Sequence, residues 1–440
     1  MAQTDPSLLE TMTFRAGYNT SLVVAGTSLL GFAAGVVGVF ALLRKRALVA
    51  DALSHATLPG IAAAFLAASW LGNDGKPLPM LLGGAIVTGV MGIVCIQLML
   101  RHTRLNEDAA IGIVLSVFFG LGIVGLSFIQ ANQPAGSAGL KAFLYGQAAT
   151  MQPGDVWLMA GVALAGVAAT ACLLKEFGLV CFDDGFARVT GWPVSVIDLL
   201  MMAMVVLVTV AGIRAVGLIM VVALLIIPPV AARFWTDRLW LLAVIAGGVG
   251  AASGYGGSVA SAMLPRLPAG AVIVLAAGGV FVISMLAAPT HGVVAASIRR
   301  IGLRLRVASD HVLEAAFEGE RADIAYGEIA SLGRLRGWSP VFRRLLMARL
   351  RLEGLLERGT GRAVRVTQAG LDRGARVSRN HALWEQYLVS YADVAPSHVD
   401  WSVDQVEHVL SEELVSRLEA RLLARGIETA VQPHATGAVP

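Results

Sequence analysis

The chain has 440 residues, of which 56% are hydrophobic and 15% charged, with a formal charge of +4. Its mean hydropathy is +0.71. A soluble globular chain is about one-quarter charged, so this composition excludes a wholly soluble protein, and so small a net charge identifies no polyanionic partner.

The charge is unevenly spread. Residues 1–298 carry 14 Lys+Arg and 12 Asp+Glu, whereas residues 299–440 carry 20 and 18. The chain reads as a membrane domain over 1–298 and a charged, soluble domain over 309–425, with 426–440 as a flexible tail. The N-terminus, "MAQTDPSLLETMTFRAGYNT", lacks the basic region and short apolar core of a signal peptide. The first apolar run is therefore read as a retained span. A span needs about 20 mostly apolar residues. Nine stretches qualify: 18–43, 52–72, 78–100, 109–130, 155–174, 194–213, 215–234, 239–254 and 269–289. The eighth is short, and "AGIRAVG" at 211–217 makes only a tight reversal between the sixth and seventh, so eight is the alternative count. Forty-nine glycines suit closely packed membrane helices. Cys95, Cys172 and Cys181 are scattered and show neither a disulfide framework nor metal-site spacing.

Cations cluster at Arg44-Lys45-Arg46, at "LRHTR" (100–104), around Lys175, at "RFWTDR" (233–238) and at "RRIGLRLR" (299–306). The alternate loops hold single cations. The positive-inside rule then puts the N-terminus outside and the C-terminal domain in the cytoplasm of a multi-pass protein of the cell (inner) membrane. Nine spans agree with both placements.

Within "LLRKRALVADALSHATLPGIAAAFL" (42–66), Asp51 and His55 stand four residues apart and share a helix face. An ionisable residue at membrane depth is costly and faces a cavity or partner. Carboxylate plus imidazole suits Mn²⁺, Fe²⁺ or Zn²⁺. The same spacing also suits a pair bonded to itself near the headgroups, and spacing alone leaves both readings open. Between two later spans, "EFGLVCFDDGFARVTGWP" (176–193) reads as a short amphipathic helix ended by Gly191 and Pro193, a handle for a cytoplasmic motor or an ordinary loop. His102 reads as a headgroup contact and His291 as a capping or core residue. No G-x-x-x-x-G-K-[ST] motif occurs, so the chain is not expected to be an enzyme that hydrolyses ATP.

The 42–66 stretch resembles the signature of metal-type ABC transporter permeases, the membrane subunits of zinc and manganese importers. "FDDGFARVTGWPVSVIDLL" (182–200) is similar to their cytoplasmic coupling segment, and "AVGLIMVVALLIIPPVAARF" (215–234) to the span after it. The resemblance covers 18–295 and implies an all-helical polytopic fold of the vitamin-B12-importer type. It makes Asp51 and His55 the ligands of the metal pathway. It makes Asp183, Asp184, Gly185, Phe186, Ala187 and Arg188 the contact with a separate ABC ATPase. An extracytoplasmic metal-binding protein and a second permease subunit, identical or not, are the other implied partners, besides membrane lipid.

Beyond 309 the periodicity becomes that of soluble amphipathic helices. Ser309 or Asp310 is a candidate N-cap. A helix, a turn at Gly337 and a helix capped by Ser339 with Pro340 first are followed by the hairpin pattern "GTGRAVRVTQAG". That order is a winged helix (309–372), with a helical part over 373–425. Residues 334–379 hold twelve arginines and three acids, which suits phosphate contact, anionic lipid or an acidic partner. His381 and Glu385 repeat the i, i+4 pairing, and Asp404, Glu407 and His408 follow close together. The region 309–425 resembles iron- and manganese-dependent metalloregulators of the diphtheria-toxin-repressor family. The resemblance implies His381, Glu385, Asp404, Glu407 and His408 as ligands, and places His311 and Glu314 at the first-helix ligand positions. His311 departs from the usual aspartate or methionine there. The fusion points to manganese ahead of zinc or iron, as cargo and as regulatory ligand. The expectation is an importer permease that senses its own metal. An ATP-independent metal transporter and a membrane-tethered transcription regulator are the rivals, and DNA binding is not favoured.

Overall fold

The computed structural model describes residues 17–44, 47–71, 78–132, 151–263, 267–319, 323–359, 363–391 and 412–424. Two compact units divide between Ala296 and Ser297.

The first unit is helical: α1 (Tyr18–Leu43), α2 (Ala47–Ala56), α3 (Leu58–Trp70), α4 (Leu78–His102), α5 (Glu107–Asn132), α6 (Pro153–Cys172), α7 (Leu174–Phe182), α8 (Asp184–Val189), α9 (Val194–Val216), α10 (Leu218–Arg233), α11 (Leu239–Met263) and α12 (Ala269–Ala287). Among the described residues, eight stretches are long and apolar enough to cross a membrane, α2 and α3 counting as one from Asp51 to Trp70. The expected span that falls short is the seventh, 215–234. Its helix, α10, has 16 residues, about 24 Å at 1.5 Å each, while the stretch expected to be short forms the 25-residue α11. Two features limit α10. Gly217, at φ +85°, breaks the chain from α9, and Pro228-Pro229 remove two helical donors.

The freed geometry is used. A Cβ at Gly38 of α1 would run into the carbonyl oxygen of Leu225, the residue four before Pro229, so α10 approaches α1 backbone to backbone. The same device joins α1 to α11. A Cβ on Gly31 would lie 2.7 Å from the Gly250 carbonyl carbon, and one on Gly254 would lie 2.7 Å from that of Thr27. Thr27 Oγ1 also shares a 2.7 Å hydrogen bond with Ser258 Oγ. Small residues thus make α1 the buried axis of the unit, as membrane packing allows.

The second unit begins inside α13 (Val293–Glu318), which runs unbroken through 309. The expected N-cap there is overturned. "RRIGLRLRVA" keeps helical periodicity, and the Ser309 hydroxyl donates back to the Leu305 carbonyl at 2.7 Å. Then come β1 (Asp323–Ala325), α14 (Tyr326–Leu335), α15 (Pro340–Leu352), β2 (Leu356–Arg358), β3 (Ala363–Val366), α16 (Gln368–Tyr391) and α17 (Glu412–Ala424). Gly337 takes φ +67° at the turn, and Ser339 caps α15 by accepting from the Phe342 N–H at 3.2 Å. The antiparallel sheet has order β1-β3-β2, with Ile324 opposite Val364 and Leu356 opposite Val366. These four side chains pack on Leu313, Leu346 and Leu350. This is the winged helix, with an edge strand, β1, too short to leave an alternating pattern.

Candidate functional site

In the first unit α2 carries the carboxylate–imidazole pair. The helix ends at Thr57 because residue 59 is proline and offers no N–H to the His55 carbonyl. Thr57 Oγ1 instead donates to the Ser54 carbonyl at 2.6 Å. Ala52, Leu53 and Ala56 bury one face of α2, which leaves Asp51 and His55 on the other. His55 Nε2 lies 3.5 Å from Asp51 Oδ1, with the side chains 23% and 43% exposed. The imidazole rests edge-on against Phe119 of α5, with ring centroids 4.9 Å apart. Its Nδ1 is buried and has no hydrogen-bond partner among the described residues. Nε2 and Asp51 Oδ1 are the two atoms that face each other, and at 3.5 Å, longer than a hydrogen bond, they could share a cation between them.

The stretch expected to couple to an ATPase, 176–193, holds two short helices rather than one. Asp183 lies between α7 and α8, and its Oδ1 accepts from the Phe186 N–H at 2.8 Å. Asp184 pairs with Arg188 at 3.0 Å. Ala187 is fully buried, whereas Phe186 and Val189 are 56% and 87% exposed. α8 therefore offers an apolar knob flanked by an ion pair, set rigidly by its cap and by Gly191 at φ +85°.

Sequence reasoning missed what holds this knob. Arg44, counted only as an orienting cation, sends Nε to Asp198 Oδ1 at 3.1 Å and Nη1 to the Val180 carbonyl at 2.9 Å. A lone carboxylate within "VSVIDLLMMAM" was the available signal for Asp198. His291, expected to be a cap or core residue, is exposed and lies 3.6 Å from Asp237 Oδ2, and His102 is exposed.

In the second unit the structure brings three of the expected ligands together. Glu314 Oε2 lies 3.7 Å from His311 Nδ1, and Glu314 Oε1 lies 3.5 Å from His381 Nδ1. His311 is almost fully buried. Its Nε2 is 2.6 Å from Arg336 Nη1. Guanidinium only donates, so Nε2 is the unprotonated nitrogen and its lone pair is already facing a cation. Carboxylate between imidazoles fits a metal of the manganese or iron kind, with Arg336 as the competing charge. Among the described residues no three such side chains converge closely enough to form a complete metal site. Glu385 lies on α16, and Asp404, Glu407 and His408 lie outside the described residues.

Much of the arginine-rich stretch is paired within the domain. Arg349 bonds Glu353 and the Gly302 carbonyl, Arg351 bonds Tyr326, Arg365 bonds Asp323, and Arg379 bonds Glu419. Arg373 joins Asp310 at 2.8 Å to Glu353 at 3.2 Å. With Arg336 these account for half of the twelve, and Arg336, Arg351 and Arg365 keep an exposed face while paired.

Comparisons with known proteins agree with this layout. The profile of the ABC 3 transport family matches residues 18–288, and that of the iron dependent repressor, metal binding and dimerisation domain matches 367–426. The manganese transport system membrane protein MntC of Bacillus subtilis (strain 168) is 37% identical over 404 residues, 91% of this chain and 92% of the relative. The zinc transport system membrane protein TroC of Treponema pallidum (strain Nichols) is 42% identical over 278 residues, 63% of this chain and 91% of the relative. Among solved structures, PsaBC from Streptococcus pneumoniae in complex with Fab aligns with a TM-score of 0.56 at 30% identity, covering 65% of this chain and 98% of that one.

Proposed function

Because the chain belongs to the ABC 3 transport family and carries a C-terminal iron-dependent repressor domain, we propose that it is the permease of an ATP-driven divalent metal importer. Manganese is the first choice of cargo, then zinc or iron. The observation that carries the reading is the Asp51–His55 pair, Nε2 facing Oδ1 at 3.5 Å, on a helix of the membrane unit. Two side-chain ligands make a weak, open station, which transit requires, since an ion held too tightly does not leave.

ATP is hydrolysed by a separate subunit that docks on α8, through Phe186, Val189 and the Asp184–Arg188 pair. An extracytoplasmic binding protein delivers the ion, and a second permease subunit, identical or a sister chain, completes the pathway. The loop cations support an outside N-terminus and a cytoplasmic second unit. That unit acts as a gauge. His311, Glu314 and His381 hold the regulatory ion, joined by Glu385, Asp404, Glu407 and His408. A bound ion supplies charge that neutralises Glu314 between its two imidazoles, while the chain's own part is to release Arg336 from His311. The manganese and zinc systems named for the relatives support this choice of cargo.

The test is manganese uptake by cells carrying Asp51→Ala or His55→Ala, with membrane insertion verified. Both variants should insert normally and lose uptake. Normal uptake by the double variant would overturn the pathway assignment.

A further inference from the structure

Arg44 joins three elements that the sequence keeps far apart. It follows α1, its Nε donates to Asp198 Oδ1 of α9 at 3.1 Å, and its Nη1 donates to the Val180 carbonyl of α7 at 2.9 Å. The Arg44 and Asp198 side chains are only 14% and 8% exposed. Beside them Phe40 of α1 meets Phe177 of α7 edge-on, with centroids 4.9 Å apart.

A buried ion pair is a poor device for stability alone, because apolar side chains of similar volume serve as well. What a planar guanidinium adds is direction, since its donors leave in a fixed fork. Here one arm grips α7 and the other grips the start of α9, the two elements that flank α8. On its other side Arg44 is seven residues from Asp51, and α2 begins at Ala47. A displacement of α8 reaches Val180 through α7 and Asp198 through α9. Both hold the residue whose chain leads into the helix of Asp51 and His55.

We propose that Arg44, held by Asp198 and the Val180 carbonyl, is the strut that positions α2 in response to the coupling helix α8. It is a positioning residue and does not touch the ion. The inference rests on the reading of α8 as the ATPase handle.

The experiment uses the full transporter, this chain with its ATPase and binding protein, in lipid vesicles. Three quantities are read: ATP hydrolysed, manganese moved per ATP, and manganese affinity of the purified chain. For Arg44→Gln and Asp198→Asn, hydrolysis and affinity should stay within about twofold of wild type, while metal moved per ATP falls about tenfold, as expected for losing a charged hydrogen bond. Arg44→Lys keeps the charge without the fork and should be intermediate, and it serves if either of the others folds poorly. An unchanged transport-to-ATP ratio in Arg44→Gln and Asp198→Asn overturns the strut. So does a fall in hydrolysis and transport together that follows lost thermal stability. Phe186→Asp in the same vesicles separates the two levels. If it uncouples while the Arg44 and Asp198 variants do not, the strut alone fails. If it too leaves the ratio unchanged, the handle reading fails and takes the strut with it.

Discussion

Replacing Gly250 by alanine places one methyl group where α1 and α11 touch. That Cβ would lie 2.7 Å from the carbonyl carbon of Gly31 and closer to its oxygen. Carbon atoms pack at about 3.5–4.0 Å, so the helices must part by about 1 Å. Both contacts are backbone, so no flexible side chain can yield. Overpacking of this kind costs about 1–3 kcal/mol, and the upper end fits a backbone contact. The better helix propensity of alanine returns at most about 1 kcal/mol, which leaves a net loss of about 2 kcal/mol, or about 30-fold in the folded population. Gly31→Ala should behave alike. The double variant should cost less than the sum, because one parting of the helices accommodates both methyls. Gly248 and Gly256 lie on the same helix with nothing within 4 Å of an added Cβ, so alanine there should be neutral or stabilising. The assay is thermal loss of the monodisperse peak in detergent for all five variants. Equal melting of Gly250→Ala and Gly248→Ala would refute the backbone-contact account.

Two other outcomes follow from the candidate sites. Phe186→Asp, and Gly185→Trp at a position whose Cβ would meet only Asp183 Oδ1 at 3.4 Å, should leave the fold intact and abolish stimulation of the ATPase by the loaded binding protein, read as phosphate release in vesicles. Arg336→Gln in an Asp51→Asn background should bind manganese about tenfold more tightly, because a like charge next to the ion is removed, and Glu314→Gln should bind it more weakly. Calorimetry on the full chain in nanodiscs checks both, and an unchanged Arg336→Gln affinity would show that the guanidinium does not compete.

Most of the architecture was legible in the sequence. Apolar runs of span length match eight spans among the described residues, and the Gly337, Ser339, Pro340 punctuation placed the winged helix. What was not legible has physical causes. Pro59 divides the second span because it withholds one N–H, and a hydropathy window does not register a single donor. α13 continues through Ser309 because a good N-cap residue is also tolerated inside a helix, where its hydroxyl bonds the Leu305 carbonyl. At the sites, Asp51 and His55 were visible because their pairing is local. Asp198 and Arg336 act through residues 154 and 25 positions away, and no spacing rule reaches that far. Twelve arginines stand out in the composition, but composition does not show that half of them have partners within the domain.

The central claim is ATP-driven metal import through Asp51 and His55. It is tested most directly by manganese uptake into vesicles that hold this chain, its ATPase and its binding protein. The account predicts uptake with ATP, none with a non-hydrolysable analogue, and none for Asp51→Asn with His55→Ala even when ATP is hydrolysed. Uptake that continues without the ATPase, or that survives in the double variant, would contradict it.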